Sequence, residues 1–377
     1  MIYLFLAYIS YPFVFFVSRF LAKRDKGSVL VFQTAKIGDM ICTTPVFREL
    51  KKAYPNARIG VVIDAVTEPV VRHNPYIDEI IIFDRAAGCG VMAKVRFARE
   101  LYRKGYSSAL ILMPNTANIL CAFWAMIPVR VAVFPDYAGA TQRRLLKLNT
   151  HIEYHIHPRM SMETYLRSLR HFGIDKWEMD KEVYAEPGAD EKARIILKGA
   201  KGPFIGLAIG TGNALKDWGK DNFLTLAGKI IDQTGYTVVL LGADKDATTG
   251  EEIIGYAKSE GRVVNLCGKL TLTEIPALIK MMDLLVGVDT GLVYMADALG
   301  VPVVVVAGPC DMSDQRPTGS AVILQLNGVW GCVPCSHTFK TPYDCRYGHK
   351  RCLIEITPDD VFKGLRKILP ADNGIKA

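Results

Sequence analysis

The stretch from Leu284 to Pro309 fixes the fold class of the whole chain. It opens as a short apolar strand, Leu284 to Val288, turns at Asp289-Thr290-Gly291, and continues with helical spacing through Val293, Ala296 and Leu299. Gly300 closes that run, and Pro302 leads the β-branched strand Val303 to Val306. Two apolar strands joined by a helix make a parallel crossover, since antiparallel neighbours need only a hairpin. The turn sets a carboxylate, a hydroxyl and a glycine where a helix begins, so unbonded N–H groups and the positive helix end face outward. A phosphate-bearing ligand suits that position. An Asp and a Thr there also serve as plain helix caps, so the turn by itself decides nothing. An aspartic-protease reading fails, because that chemistry needs two such carboxylates and the α/β pattern carries one D-T-G.

The same alternation runs through the chain twice. From Ser28, SVLVFQT reads as a buried strand, AKIGD as a glycine turn and ICTTPVFRELKKAY as an amphipathic helix ending before Pro55. Strands are expected at 58–63, 79–83, 109–113 and 129–133, and again at 204–209, 237–241, 262–266, 284–288 and 303–306. His151-Ile-Glu-Tyr-His155-Ile-His157 alternates as a strand would and is read as a loop or an edge. The chain thus reads as α/β, with two Rossmann-like, doubly wound parallel-sheet domains: 27–186, then 187–377 after the turn at Glu186-Pro187-Gly188. Its 377 residues, half of them hydrophobic, suffice for two cores. Ligands of open sheets bind at the carboxyl ends of the strands, which predicts a site in a cleft between facing domains.

Residues 1–26 stand apart as a hydrophobic, membrane-associating segment. The first 22 carry Arg19 as their only charge, and Lys23, Arg24 and Lys26 follow. A cleaved signal peptide is not expected, since no basic region precedes the apolar run and no small-residue site closes it. A marginal span, an interfacial helix and an arm packed on the protein remain three open readings. In either membrane case the basic residues hold the globular part on the cytoplasmic side. The net charge of +8 lies entirely in residues 1–186, with 25 Lys and Arg against 17 Asp and Glu, whereas 187–377 balance at 21 each. An anionic surface or substrate suits the first half. No aromatic-interleaved basic run is present, so nucleic acid is not an expected partner.

Four places carry residues suited to chemistry. Gly38-Asp39 follows the first strand, where Asp39 serves as a helix cap or as a general base on a hydroxyl; Thr43 and Thr44, one turn on, either touch a ligand or fill the helix. The loop 210–218, GTGNALKDW, lets backbone approach a phosphate near Thr211 and adds the cation Lys216, without being a dinucleotide or Walker motif. Asp244 ends the next strand, where a carboxylate accepts from ribose hydroxyls, and Lys269-Leu270 stand where a base pocket would be lined. Cys332, Cys335, Cys345 and Cys352 are spaced for a structural zinc or as plain reduced thiols.

Taken in order, these pieces resemble glycosyltransferase family 9, the lipopolysaccharide heptosyltransferases of GT-B architecture, over nearly all of 28–369. The resemblance rests on VLVFQTAKIGDMICTTPVFRELKKAYPNARI, NPYIDEIIIFD, GTGNALKDW, LLGADKD, LCGKLTLTEI, the 287–309 stretch and the cysteine-rich tail. It implies inverting, metal-independent transfer of heptose from ADP-heptose, with no cofactor, to a lipopolysaccharide core or related anionic lipid-linked glycan. The location it implies is the cytoplasmic face of a bacterial inner membrane. By the same resemblance Asp39 is the catalytic base, with Gly38, Thr43 and Thr44 beside the acceptor. Thr211 and Lys216 hold the donor diphosphate, Asp244 the ribose and Leu270 the adenine; Asp289 meets the donor sugar, with Thr290 and Gly291 on the diphosphate. Two departures stand next to the donor: Tyr294 where family members carry His, and Ala307-Gly308-Pro309-Cys310 where they carry Phe-Gly-Pro-Thr. They keep open a different nucleotide-sugar donor, and a non-catalytic membrane-anchored sugar-nucleotide binder stands as the third reading.

Overall fold

A computed structural model describes residues 2–21, 25–84, 90–257 and 261–369. Lys23 and Arg24, singled out above, lie outside the described residues, as does the side chain of Lys26. The chain divides between Asp180 and Lys181 into two compact units.

The first unit holds strands β1 (Asp25–Gln33), β2 (Ile59–Ile63), β3 (Glu79–Ile82), β4 (Tyr106–Ile111), β5 (Val129–Pro135) and β6 (His151–His155). They form one sheet in the order β3-β2-β1-β4-β5-β6, with every pair parallel. Strand β2 and the Ser28–Gln33 part of β1 are buried on both faces, as a sheet covered on two sides requires. The helices used below are α1 (Ile2–Phe16), α2 (Ile37–Ile41), α3 (Thr44–Ala53), α4 (Val91–Lys104), α5 (Thr116–Trp124) and α6 (Ser161–Arg167). A π-helical turn, Val17–Leu21, extends α1. One face of α1 joins the core through Leu4, Ala7 and Val14, packed with Leu30, Phe32 and Phe123.

The second unit repeats the plan with β7 (Phe204–Ala208), β8 (Thr237–Leu241), β9 (Val263–Asn265), β10 (Leu284–Val288), β11 (Val303–Val306) and β12 (Ala321–Leu324). Its order is β12-β11-β10-β7-β8-β9, again all parallel. Helices α7 (Lys220–Gln233), α8 (Gly291–Ala298) and α9 (Pro358–Ile368) serve the argument below. In both sheets the first strand has the second on one side and the fourth on the other, so each has a switch point where successive crossovers diverge: between β1 and β4, and between β7 and β10.

This is the doubly wound α/β architecture expected, with three local differences. AKIGD is not a turn: Gly38 and Asp39 lie inside the short helix α2, and Gly38 has no positive φ. The single helix expected over 41–54 breaks at Cys42-Thr43, because Pro45 lacks an amide proton and its ring would meet the carbonyl one turn back; α3 restarts with that proline in its first turn. The histidine-rich stretch takes its edge reading as strand β6, where His155 is buried against Thr164 (Nδ1 to Oγ1, 2.9 Å). A further edge strand, β12, was not read from the sequence at all.

Candidate active site

The carboxyl edge of the second sheet gathers most of the expected residues. After β7 the chain runs through Thr211 to a 3-10 turn, Ala214–Lys216, held by Asn213, which accepts from Leu215 N (3.0 Å) and donates to the Pro342 carbonyl (3.0 Å). After β10 comes Asp289. Because β7 and β10 are neighbours at the switch point, Lys216 and Asp289 meet across it, Lys216 Nζ pairing with Asp289 Oδ2. The other oxygen, Oδ1, accepts a 2.6 Å hydrogen bond from Tyr294 Oη, which also reaches the Gln315 carbonyl at 3.2 Å.

Burial pushes the Asp289 carboxyl up, but the charge of Lys216 and hydrogen bonds from Lys216, Tyr294 and Cys310 outweigh it and hold the group below the usual carboxylate range. The buried Cys310 thiol moves the opposite way, driven well above its ordinary value by burial and then by the Asp289 charge. Cys310 is brought here by the sharp turn after β11, where Gly308 has φ +51° and a Cβ would strike Leu353 Cγ at 2.5 Å.

Beside this pair, Thr290 precedes α8 in extended conformation without capping it, and its Oγ1 is buried with no hydrogen-bond partner. Gly291 is the first helical residue, so the opening amides of α8 and an unsatisfied hydroxyl converge next to Lys216 and Asp289. Across the switch point, Asp244 stands exposed in the turn after β8, packed so closely on Gly268 (φ +72°) that a Cβ there would lie 2.0 Å from Asp244 Oδ1. Lys245 Nζ donates to the Thr211 carbonyl at 3.0 Å and ties this turn to the loop after β7. Leu270 is half-buried after β9, one residue before Thr271, whose amide donates to Glu274 Oε2 (2.7 Å). Lys216, Asp289, Thr290, Gly291, Thr211, Asp244 and Leu270 therefore occupy one sheet edge.

Asp39 belongs to the first unit. It is half-buried as the third residue of α2, and its Oδ2 accepts from Lys36 N at 3.1 Å. The fully buried Tyr165 of α6 feels its charge: burial first, then Asp39, drives that phenol well above its ordinary value. Thr43 Oγ1 donates to the Asp39 carbonyl (2.8 Å) and accepts from Gln33 Nε2 (2.8 Å), while Thr44 Oγ1 donates to the Ile41 carbonyl (2.8 Å). Both threonines are fully buried and brace α2 and α3. At the switch point next to them, Thr34 Oγ1 accepts from Asn115 (3.0 Å) and Asn118 (2.9 Å).

Two groups have metal-ligand chemistry. Cys332, Cys335, Cys345 and Cys352 are all free thiols. Burial, then the neighbouring cysteines, pushes Cys352 up to about 11; burial also raises Cys345, but backbone amides of Lys350, Tyr347, Gly348 and His349 bring it below its ordinary value. The second group was missed in the sequence: Asp311 and Asp314, both buried, face His337 Nδ1 at 3.1 and 3.3 Å. Asp311 follows Cys310 directly, so the turn after β11 was the available signal.

The sequence model of glycosyltransferase family 9 (heptosyltransferase) matches residues 94–344, more than half of the chain. Lipopolysaccharide heptosyltransferase 2 of Salmonella typhimurium is 27% identical over 355 residues, covering 90% of this chain and 98% of that protein. Among solved structures, a glycosyl transferase family 9 protein from Veillonella parvula superimposes with TM-score 0.75 at 22% identity, covering 92% of this chain and 98% of the other. The ADP-heptose lps heptosyltransferase II of E. coli gives 0.70 at 23%, covering 90% and 98%.

Proposed function

The chain belongs to glycosyltransferase family 9, and from that membership we propose that it moves a heptose from ADP-heptose, with inversion, onto a lipopolysaccharide core or related lipid-linked glycan. The observation that carries the reading is the convergence of Lys216, Asp289, the unsatisfied Thr290 hydroxyl and the start of α8 at one switch point. That set has the chemistry to hold a sugar diphosphate. The acceptor oxygen attacks the anomeric carbon, its proton passes to Asp39, and the bond to the diphosphate breaks. Lys216 and the α8 amides take up the charge of the departing ADP, so the step needs no metal. Asp289, ionised by its neighbours, accepts from a hydroxyl of the donor sugar; Asp244 takes the ribose and Leu270 packs on the adenine. The apolar N-terminal helix and the excess positive charge of the first half support a location on the cytoplasmic face of the inner membrane.

A second reading keeps the fold and changes the nucleotide sugar. Tyr294 and Cys310 favour it, since both touch Asp289 and both depart from the family's usual residues.

Thermal melting of the protein with ADP-heptose, ADP, UDP-sugars and GDP-sugars tests both. Stabilisation by ADP-heptose that survives Asp39→Ala and falls with Lys216→Ala supports the first. Selective stabilisation by another nucleotide sugar selects the second. No shift with any of them in a folded sample removes the donor-site assignment.

A further inference from the structure

Helix α1 with its π-helical extension is long and apolar enough over Tyr3–Phe20 to cross a bilayer, yet specific contacts hold it against its own unit. Ala7 is fully buried, Tyr8 Oη donates to the Arg144 carbonyl at 2.7 Å, and Trp124 Nε1 donates to Ser10 Oγ at 3.3 Å. The helix is therefore fastened lengthwise to its own unit. Standing it across a membrane would carry α4 into hydrocarbon together with Arg96, Arg99 and Arg103, which are exposed and have no ion-pair partner among the described residues.

The outward side of α1 is apolar. Phe5, Ile9, Phe13 and, in the π-helical turn, Phe20 are 62–67% exposed, far more than a water-facing helix accounts for. Between α1 and α4 runs an open groove of about 500 Å³, within the size range of small-ligand sites. Ile9 and Phe13 line it from α1, Val91, Val95 and Arg99 from α4, and Trp124 of α5 is also in the lining. Ser10, also in the lining, is already bonded to the carbonyls of Leu6 and Ala7. Among the described residues, Arg99 is the only charged one in the lining. It sits where the apolar stripe of α4 gives way to Arg96 and Arg103, at helical spacings of three and four.

We propose that α1 lies in the plane of the membrane and that the α1–α4 groove takes one acyl chain of an anionic phospholipid, with Arg99 on its headgroup phosphate. Charge complementarity selects an anionic lipid over a neutral one, and continuity of the groove with the exposed aromatic side of α1 selects a bilayer lipid over a soluble ligand. The inference rests on the membrane location proposed above and is independent of the sugar transferred. Turnover on a delipidated, soluble acceptor fragment reports the chemistry separately.

The test uses the full chain with vesicles of phosphatidylcholine, alone or mixed with phosphatidylglycerol. Binding is expected only with phosphatidylglycerol, and Arg99→Glu is expected to weaken it roughly thirtyfold while leaving turnover on the soluble acceptor unchanged. Lipids brominated along the acyl chain are expected to quench tryptophan fluorescence, and Trp124→Phe is expected to remove that quenching. Binding indifferent to phosphatidylglycerol and to Arg99→Glu overturns the proposal. So does a vesicle-bound protein whose Trp124 stays unquenched, or a soluble dimer that Arg99→Glu dissociates. If Arg99→Glu does not fold, quenching of the wild-type protein decides alone.

Discussion

Tyr294 Oη donates a 2.6 Å hydrogen bond to Asp289 Oδ1, the carboxylate whose other oxygen is paired with Lys216. A phenol five residues along the chain, at the inner side of α8, thereby fixes the rotation of the group proposed to meet the donor sugar. A hydrogen bond to a charged group is worth about 1.5–3 kcal/mol. Tyr294→Phe is accordingly expected to weaken ADP-heptose binding about tenfold or more, with ADP affinity nearly unchanged because Lys216 is intact. Calorimetric titration with the two ligands separates these effects. Equal losses for both would mean that Tyr294 supports the diphosphate side instead.

The depressed carboxyl of Asp289 also sets a pH dependence. A group whose folded value lies below its unfolded one, about 3.9 for Asp, contributes stability that is fully present above the unfolded value. That contribution is lost as pH falls through the folded value. The stability difference between wild type and Asp289→Asn should be constant from neutral pH down to about 5 and shrink below about 4. Urea unfolding midpoints across that range measure it; a difference that grows on acidification contradicts the assignment.

Most of the strands were legible because a parallel sheet covered on both faces demands short, continuously apolar runs, and SVLVFQT and Val303–Val306 have no other use. The edge strand β12 was missed although Ala321–Leu324 is itself an apolar run; it is only four residues long and half-buried, as a sheet edge allows. Gly38 misled for a physical reason. Glycine after a strand suggests a turn, but here burial of Gly38 and Met40 and the Asp39 bond to Lys36 N hold a helical turn in place. Lys216 and Asp289 could each be set at a strand end from sequence. Their pairing, 73 residues apart, follows only from β10 lying beside β7. The Asp311–Asp314–His337 group had only the turn after β11 to point to it, because its members come from two irregular loops with no periodicity to read.

A second buried pair makes a stability prediction away from the site. Lys181 Nζ donates to Asp297 Oδ2 (2.6 Å) and Thr318 Oγ1 (2.8 Å), with the two charged side chains 1% and 2% exposed. Asp297 Oδ1 also accepts from the amides of Thr318 (3.0 Å) and Gly319 (2.8 Å). Removing one partner leaves the other charged and buried, which costs about 3–5 kcal/mol. Asp297→Ala should therefore lower the denaturant midpoint of the second unit sharply. Lys181→Met combined with Asp297→Leu should recover part of the loss by removing both charges. A double variant no more stable than Asp297→Ala would show that the amide contacts, not the charge pair, dominate.

Thiol chemistry in the second unit should follow the surroundings of each sulfur, since the thiolate is the reactive form. Four backbone amides around Cys345 outweigh its burial and lower its value, so more of it is ionised near neutral pH. Cys352 is buried and pushed up to about 11, and burial and the Asp289 charge drive Cys310 well above its ordinary value. With limiting iodoacetamide at pH 7.5, peptide mapping should find Cys345 labelled ahead of Cys352, and Cys310 labelled only when the unit unfolds. Raising the pH should narrow the gap between Cys345 and Cys352 as the second thiol begins to ionise. Saturating donor should leave the Cys345 rate unchanged, because that thiol is controlled by its own loop and not by the Lys216–Asp289 pair. Early labelling of Cys310 in folded protein would instead mean that the turn after β11 opens far more often than its burial against Asp289 allows.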